Sequence, residues 1–212
     1  MLAFALNTFI QQVVLQFVEG QLALVPKLNQ RTCKKGLIDH FERAIVLIRD
    51  PFSSFWAEYQ RSRSDTHTGG ILRAKFDIKD WEEDVLRLAS YYKHMWIRDL
   101  IPMLSVMKSG NILMVKFEDL LNDKFRVLNS IVAFLGYSPD SDRINCSFVL
   151  ANRKESRRAL NPANFTSIND VYSNQTLVCR IWKVVGEFTR KYNYTGSRWN
   201  TGSCMDMENA HY

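Results

Sequence analysis

The chain reads Ala-Ile-Val-Leu-Ile-Arg-Asp-Pro-Phe-Ser-Ser-Phe-Trp-Ala-Glu-Tyr over residues 44–59, and this stretch decides the fold class. Residues 44–48 are uninterruptedly apolar, which predicts a strand covered on both faces, as in a parallel sheet. Arg49 follows the strand, Asp50 can cap the next helix, and Pro51 suits its first position. A guanidinium beside a helix N-terminus predicts a binding site for an anionic group.

A second strand-turn-helix unit occupies residues 111–137. Ile112 to Val115 predict a short strand, apolar residues then recur at helical spacing, and Gly136 stands where a helix ends. Between the two units, the apolar stripe from Trp81 to Leu100 predicts a long helix, and a final helix is predicted around residues 177–188. The order strand, helix, helix, strand, helix predicts parallel crossover connections.

These units resemble segments of the sulfotransferases that use 3′-phosphoadenosine 5′-phosphosulfate (PAPS). Arg49-Asp50-Pro51 after a strand is similar to the segment that binds the 3′-phosphate of the donor. Phe117-Glu118-Asp119-Leu120, followed by a helix that closes on Phe134-Leu135-Gly136, is similar to the strand-turn-helix unit of the same family. The resemblance covers roughly residues 21–194. It implies an α/β fold with a P-loop-like parallel sheet flanked by helices.

The resemblance also implies the residues that hold the donor. Arg49 would contact the 3′-phosphate, and Ser53 or Ser54 would assist. The family usually has a serine about eight positions after the arginine, where this chain has Ala57. The WSC-domain-containing sulfotransferase-like proteins similarly lack that serine, so this chain resembles that branch most.

A basic segment, residues 152–158, is the candidate for closing over the donor phosphate, with Arg157 and Arg158 as its predicted contacts. An exposed polar loop is the alternative interpretation. Glu118 and Asp119 are expected to be a cap and a loop anchor rather than a catalytic pair. His94 lies in a run similar to one in the family, but a single histidine on a mostly apolar helix does not identify a catalytic residue. The catalytic residue stays unassigned.

Two family features are missing. No glycine precedes Gly20, so residues 1–17 cannot form a glycine-rich loop that could cradle a 5′-phosphosulfate. Where many members have Lys-Thr-His, residues 26–29 read Pro-Lys-Leu-Asn, and Asn29 cannot act as a general base. The predicted sheet is therefore incomplete at its N-terminus. Either the chain is a partial product of a longer gene, which we expect, or it is a degenerate paralogue.

The implied reaction moves a sulfuryl group from PAPS to a hydroxyl of a glycan or glycoconjugate, although the missing features argue against activity of this chain alone. A non-catalytic, sulfotransferase-like binding or scaffold protein is the alternative. A nucleotide kinase-like P-loop protein is disfavoured because no Gly-X-X-X-X-Gly-Lys-Ser/Thr occurs.

Length and composition fit a globular chain: it has 212 residues, of which 46% are hydrophobic and 24% charged. We expect an amphipathic helix over residues 1–20, because polar residues recur there at helical spacing, a partial sulfotransferase-like domain over residues 21–195, and a tail over residues 196–212. Membrane anchoring is expected only if a further segment lies upstream.

The formal charge of +6 fits an anionic nucleotide donor and an acidic glycan acceptor. We expect no nucleic-acid partner, because the cations form no continuous patch, and no metal, because no metal-ligand spacing occurs. The Asn-X-Ser/Thr sequons at Asn145, Asn164, Asn174 and Asn193 favour the Golgi lumen, as does the resemblance. The four cysteines leave disulfides open.

Overall fold

A computed structural model describes residues 14–18, 21–25, 43–63, 71–97, 101–152, 166–194, 199 and 204. These residues fall into two compact units. The first unit contains residues 14–18, 21–25, 43–49 and 101–152. The second unit contains residues 50–63, 71–97, 166–194, 199 and 204. The domain bounds expected from the sequence stay predictions.

The first unit contains a sheet with the strand order β2-β1-β3-β4. Its strands are β1 (Val14–Val18), β2 (Gln21–Val25), β3 (Arg43–Ile48) and β4 (Ile112–Lys116). β3 and β4 are parallel, whereas β1 is antiparallel to both β2 and β3. Most of the described residues are helical, and the parallel pair gives the chain the expected α/β character.

Two expectations are corrected by this sheet. The sheet is mixed rather than parallel throughout, because β1 and β2 form a hairpin that pairs in antiparallel fashion with β3. The prediction of a helix over residues 1–20 is wrong for Val14–Val18, because these residues form β1. The sequence Val-Leu-Gln-Phe-Val is rich in β-branched and aromatic residues, and pairing with two neighbouring strands overrides its helical spacing. The remainder of that expected helix lies outside the described residues.

Helices account for most of the described chain. They are α1 (Pro51–Arg63), α2 (Ile78–Met95), α3 (Ile101–Val106), α4 (Phe117–Asn122), α5 (Lys124–Phe134), α6 (Ser141–Asn152), α7 (Ile168–Val171) and α8 (Gln175–Lys191). The helix predicted around residues 177–188 is confirmed as α8, and the helix predicted from Trp81 to Leu100 is confirmed as α2 as far as Met95, whereas Leu100 lies outside the described residues. Among the described residues, no helix is long and apolar enough to cross a bilayer.

The core of the first unit lies between the parallel strands and α5. Ile45 of β3, Val115 of β4 and Val127 of α5 are buried together, and partly buried leucines and Phe134 surround them. α5 ends in a Schellman motif: Gly136 has a φ of 88°, and the amide of Tyr137 donates to the carbonyl of Val132 at 3.1 Å. The helix end predicted at Gly136 is therefore confirmed.

The second unit has an aromatic core. Trp81 is fully buried, and its ring lies edge-to-face against Trp56, Tyr59 and Tyr172, with centroids 5.1–5.4 Å away. The indole N–H of Trp81 donates to the carbonyl of Val171 at 3.2 Å, which satisfies its buried polar group. Farther along α2, Tyr92 packs on Phe188 of α8, with ring centroids 5.0 Å apart.

Residues from the expected tail are part of the second unit. Cys204 forms a disulfide with Cys179 of α8. Trp199 is buried, and its ring packs against Tyr172 with centroids 4.7 Å apart. Cys146 on α6 is a free, exposed thiol, and Cys33 lies outside the described residues. The C-terminal segment is therefore fixed to the second unit at two described points.

Candidate functional site

The candidate site is the edge of the sheet where the parallel strands β3 and β4 end. Ile48 pairs with Lys116 at the last position of their register. The residues that follow are Arg49 and Phe117, and the guanidinium carbon of Arg49 lies 4.6 Å from the centroid of the Phe117 ring. Ligands of open α/β sheets bind outside the carboxyl ends of the strands. This edge therefore has the position, and Arg49 the charge, of a site for an anion.

The stacking of Arg49 on Phe117 orients the guanidinium. Arg49 is half-buried, and a cation over an aromatic face is held by the quadrupole of the ring. The ring therefore restricts the orientation of the Arg49 side chain at this edge.

Further charged residues lie at the same edge. Lys116 is half-buried at the end of β4 and adds a second cation. Glu118 and Asp119 follow in the first turn of α4, where negative charge is favourable near a helix N-terminus. Lys116 is the N-cap residue of α4, so neither carboxylate occupies the cap itself. Arg49 follows β3 and Lys116 ends β4, whereas the two carboxylates lie in the first turn of the next helix.

The N-terminus of α1 belongs to the second unit, and Asp50 caps it. Asp50 is 8% exposed, and its carboxylate accepts hydrogen bonds from the amide of Ser53 at 3.0 Å and from the indole N–H of Trp199 at 3.3 Å. The amide of Ser54 donates to the backbone carbonyl of Asp50 at 2.9 Å. The cap at Asp50 and the helix start at Pro51 are therefore confirmed.

This cap already engages the two predicted serines. The hydroxyl of Ser53 donates to the Asp50 carboxylate at 2.6 Å, and Ser54 is buried. A hydroxyl has one proton to donate, so in this arrangement Ser53 cannot also donate to a phosphate oxygen. The helix N-terminus is thus occupied by the protein's own carboxylate, which leaves Arg49 as the principal predicted contact.

Tyr172 supports the start of α1 from within the second unit. Its hydroxyl donates to the carbonyl of Phe52 at 2.8 Å, and the two rings lie edge-to-face with centroids 5.2 Å apart. Burial raises the pKa of Tyr172 well above its ordinary value, and the negative charge of Asp50 raises it further. Tyr172 is therefore a neutral hydrogen-bond donor and has no role as a base at neutral pH.

Of the other positions named from the sequence, some lie outside the described residues and some lie on helices of the second unit. Arg157, Arg158 and Asn29 lie outside the described residues. Ala57 is half-buried in α1, and His94 is exposed near the end of α2. Among the described residues, the predicted contacts that can be placed are therefore Arg49, on the strand edge of the first unit, and the two serines, in the cap of the second unit.

Lys116, Phe117 and Trp199 are candidate functional residues that sequence reasoning missed. For Lys116 and Phe117 a signal existed, because Lys116 ends β4 and Phe117 follows it as Arg49 follows β3, and carboxyl ends of parallel strands meet at one edge. For Trp199 no local signal existed, because its partner Asp50 is 149 positions away in the sequence.

Comparisons with known proteins leave the function to the geometry and the sequence. No protein-family model matches this chain. A search of the solved structures finds no match either.

Proposed function

We propose that this chain is a sulfotransferase-like protein whose strand edge binds the 3′-phosphate of PAPS through Arg49. The observation that carries the proposal is the contact between the Arg49 guanidinium and the Phe117 ring, at the carboxyl ends of two parallel strands. A P-loop-like arrangement of the sheet belongs to the same proposal. Lys116, which ends β4, adds positive charge at this edge, and positive charge suits an anionic nucleotide.

In the proposed reaction, a hydroxyl of a glycan or glycoconjugate attacks the sulfur of PAPS. The bond from sulfur to the bridging phosphate oxygen breaks, the hydroxyl proton leaves to a base, and 3′-phosphoadenosine 5′-phosphate departs. A protein accelerates such a transfer mainly by positioning the reactants and stabilising charge. The part that we assign to this chain is retention of the nucleotide by Arg49, and no residue is assigned as the base.

Arg157 and Arg158 remain proposed contacts that would close over the same nucleotide. Ser53 and Ser54 are proposed to act through the cap, because the Ser53 hydroxyl and the Ser54 amide both donate to Asp50. On this proposal, replacement of Ser53 weakens the start of α1 more than it weakens nucleotide binding.

The Golgi lumen is the proposed location. The Cys179–Cys204 disulfide supports it, because disulfides persist in oxidising compartments. The acidic glycans made there would suit the net positive charge of the chain.

A second candidate is a non-catalytic binding or scaffold protein that retains affinity for the nucleotide or the glycan. It is favoured by Asn29, which stands where many members of the family have a histidine and cannot act as a general base. Both candidates predict nucleotide binding, and only the first predicts transfer. Transfer of labelled sulfate from PAPS to a glycan by the purified chain would exclude the second candidate.

Calorimetric titration with 3′-phosphoadenosine 5′-phosphate tests the proposed site. We expect Arg49→Ala to weaken binding by about tenfold or more, because a hydrogen bond to a charged group contributes about 1.5–3 kcal/mol. Arg143→Ala is the matched control: it removes the same charge from the same unit at a side chain that is 88% exposed. If the parent chain does not bind, or if the Arg49 and Arg143 variants bind equally well, the assignment of Arg49 is wrong.

A further inference from the structure

Helix α8 is amphipathic, and its outward side is rich in cations. Its inward side is buried in the second unit and includes Leu177, Ile181 and Val185. Its exposed residues recur at intervals of three or four positions, which places them on one side of the helix. We call this side the cationic face of α8, and it consists of Thr176, Arg180, Lys183, Glu187, Arg190 and Lys191.

The cationic face concentrates the positive charge of the chain. Its four cations and one carboxylate give α8 a net charge of +3 over 17 residues, whereas the whole chain has a net charge of +6. Helix α2, which packs against α8, has three cations and four carboxylates, and its net charge is −1 with His94 neutral. The excess of positive charge therefore belongs to α8 and is not shared by the helix beside it.

The two cations in the middle of this face have no partner of opposite charge. Neither Arg180 nor Lys183 forms an ion pair with any residue that the structure describes. Elsewhere in the second unit, by contrast, Arg63 pairs with Asp80 at 2.8 Å, and Arg73 pairs with Asp170 at 3.3 Å. Arg180 and Lys183 are therefore not part of an internal network of charges.

The helix dipole accounts for only some of these cations. Arg190 and Lys191 lie in the last turn of α8, where a cation is favourable beside the partial negative charge of the helix end. This effect fades within one turn, so it does not extend to Arg180 and Lys183. Two like charges on one side of a helix, three positions apart, do not stabilise it. The central cations are therefore not explained by the stability of α8.

The cationic face adjoins the end of α2. The Nζ atom of Lys191 lies 5.4 Å from the centroid of the Trp96 ring, which belongs to the C-cap residue of α2. Lys93 of α2 is exposed, and it lines a small cleft between the two helices together with Glu187. Along α8 the cations extend from Arg180 to Lys191, about 16 Å at the rise of an α-helix.

A row of cations of this length suits a linear polyanion, and the fold favours one kind. The apolar side of α8 is buried in its own unit, so the helix cannot insert into a bilayer as interfacial helices do. Cys179 of α8 forms a disulfide with Cys204, and disulfides persist in oxidising secretory and extracellular compartments. Sulfated polysaccharides are the linear polyanions of those compartments, whereas nucleic acids belong mainly to the cytosol and nucleus.

We propose that the cationic face of α8 binds a linear sulfated polysaccharide, with Arg180 and Lys183 at its centre. A sulfate group accepts charge-assisted hydrogen bonds from guanidinium and ammonium groups. Glu187 lies four positions from both Lys183 and Lys191, so its negative charge opposes the polyanion. The surface retains the polysaccharide without any transfer step. It lies in the second unit, and it does not rest on the proposed binding of nucleotide by Arg49.

Fluorescence anisotropy with a labelled heparin hexasaccharide and the purified full chain tests this proposal. We expect Arg180→Gln combined with Lys183→Gln to weaken binding by about threefold or more, because two exposed ion pairs are lost. Glutamine has nearly the helix propensity of arginine and lysine, so α8 should remain intact. Failure of the parent chain to bind the hexasaccharide overturns the proposal.

Lys75→Gln combined with Lys79→Gln is the matched control. It removes two charges from exposed lysines of the same unit that lie outside the cationic face, so the affinity should stay at the parent's value. Equal losses in the two double variants would mean that net charge alone attracts the hexasaccharide, which contradicts the assignment to α8.

Glu187→Gln makes the opposite prediction. It removes the one carboxylate of the cationic face, so we expect binding to become about twofold tighter. A merely structural role of α8 predicts no such gain, and unchanged or weaker binding would contradict the proposed surface.

Three further measurements test the choice of partner. A desulfated hexasaccharide should bind much more weakly than heparin hexasaccharide, and equal binding would show that sulfate is not recognised. Single-stranded DNA of matched charge, or vesicles that contain phosphatidylserine, should also bind more weakly. If either binds as tightly as the hexasaccharide, the choice of a polysaccharide is wrong. Arg49→Ala should keep the parent's affinity for the hexasaccharide, so failure of this proposal is distinguishable from failure of the nucleotide site.

Discussion

Trp199 donates its indole N–H to the buried carboxylate of Asp50, 3.3 Å away, across 149 positions of sequence. This bond fixes the C-terminal segment to the residue that caps α1. A buried carboxylate that loses a donor is poorly solvated, and a hydrogen bond to a charged group contributes about 1.5–3 kcal/mol. Trp199 is therefore expected to stabilise the second unit through more than its aromatic packing.

The first prediction is that Trp199→Phe lowers the free energy of unfolding by about 1–3 kcal/mol more than Trp182→Phe does. Both substitutions remove the same atoms from a buried ring, but the indole N–H of Trp182 has no hydrogen-bond partner among the described residues. Urea denaturation of both variants measures the difference. Equal losses would mean that the bond to Asp50 contributes nothing measurable.

The second prediction concerns Gly136, which ends α5 at a φ of 88°. Gly136→Ala is expected to cost about 1–2 kcal/mol, because a residue with a Cβ is disfavoured in the left-handed region. The added Cβ would also stand 3.2 Å from a guanidinium nitrogen of Arg43, which donates to the carbonyl of Phe134.

Gly110→Ala is the control for Gly136→Ala. A Cβ at Gly110 meets no atom within 4 Å, and the backbone there is not left-handed. We expect its free energy of unfolding to stay within about 0.5 kcal/mol of the parent. Similar thermal denaturation midpoints for the two alanine variants would refute the backbone explanation.

The third prediction concerns the ring beneath Arg49. Phe117→Leu is expected to weaken binding of 3′-phosphoadenosine 5′-phosphate by about two- to fivefold, because a cation–π contact at a partly exposed site contributes about 0.5–1 kcal/mol. Phe125→Leu changes another phenylalanine of the first unit, one that is 38% exposed, and should leave the affinity unchanged. If both variants retain the parent's affinity, Phe117 does not orient Arg49 for binding.

The fourth prediction is a loss of stability in alkali. Burial and the hydrogen bond to Asp80 raise the pKa of Tyr59 from 10.0 to about 12. The unfolded chain then loses this proton at lower pH than the folded chain. The contribution of Tyr59 to stability is present below pH 10 and is lost as the pH rises to about 12.

Denaturation of the parent chain and of Tyr59→Phe across this pH range measures the effect. Burial also raises the pKa of Tyr192 to about 12. Because Tyr192 is present in both proteins, its ionisation contributes to both curves and does not account for a difference between them. The phenylalanine variant should lose less stability between pH 10 and 12 than the parent. Parallel curves would show that Tyr59 titrates alike in the folded and unfolded chains.

The fifth prediction is that loss of the disulfide destabilises the second unit by about 3–4 kcal/mol. The estimate follows from the loop-closure entropy of a cross-link between residues 25 positions apart. Replacement of both Cys179 and Cys204 by alanine should show this loss in urea denaturation. Cys146→Ala, at the exposed free thiol, should show almost none.

Sequence reasoning succeeds in this chain where structure is set locally. The apolar run at Ala44 to Ile48, the cap at Asp50 and the helix end at Gly136 each follow from a few adjacent residues, and each is confirmed. The parallel pairing of β3 with β4 also follows, because a strand covered on both faces favours it.

Sequence reasoning fails where distant segments decide the outcome. Val14–Val18 has a spacing that fits a helix, yet it pairs with β2 and β3 as a strand. Asp123 begins a new helix by accepting a hydrogen bond from the amide of Arg126, so the apolar repeat from residue 121 to residue 135 is divided between α4 and α5. The partners of Trp199 and Cys204 could not be inferred from their neighbours in the sequence.

The two units are interleaved along the chain, and this has a consequence for synthesis on the ribosome. β3 emerges before α1 and α2, and its parallel partner β4 emerges only after both. In turn, α2 emerges well before α8, the helix whose Phe188 packs on Tyr92. Each unit therefore remains incomplete and partly exposed while segments of the other unit are translated. A chain interrupted near residue 160 would carry α1 and α2 with their packing partner missing, and we expect it to be a substrate for chaperones rather than a smaller folded protein.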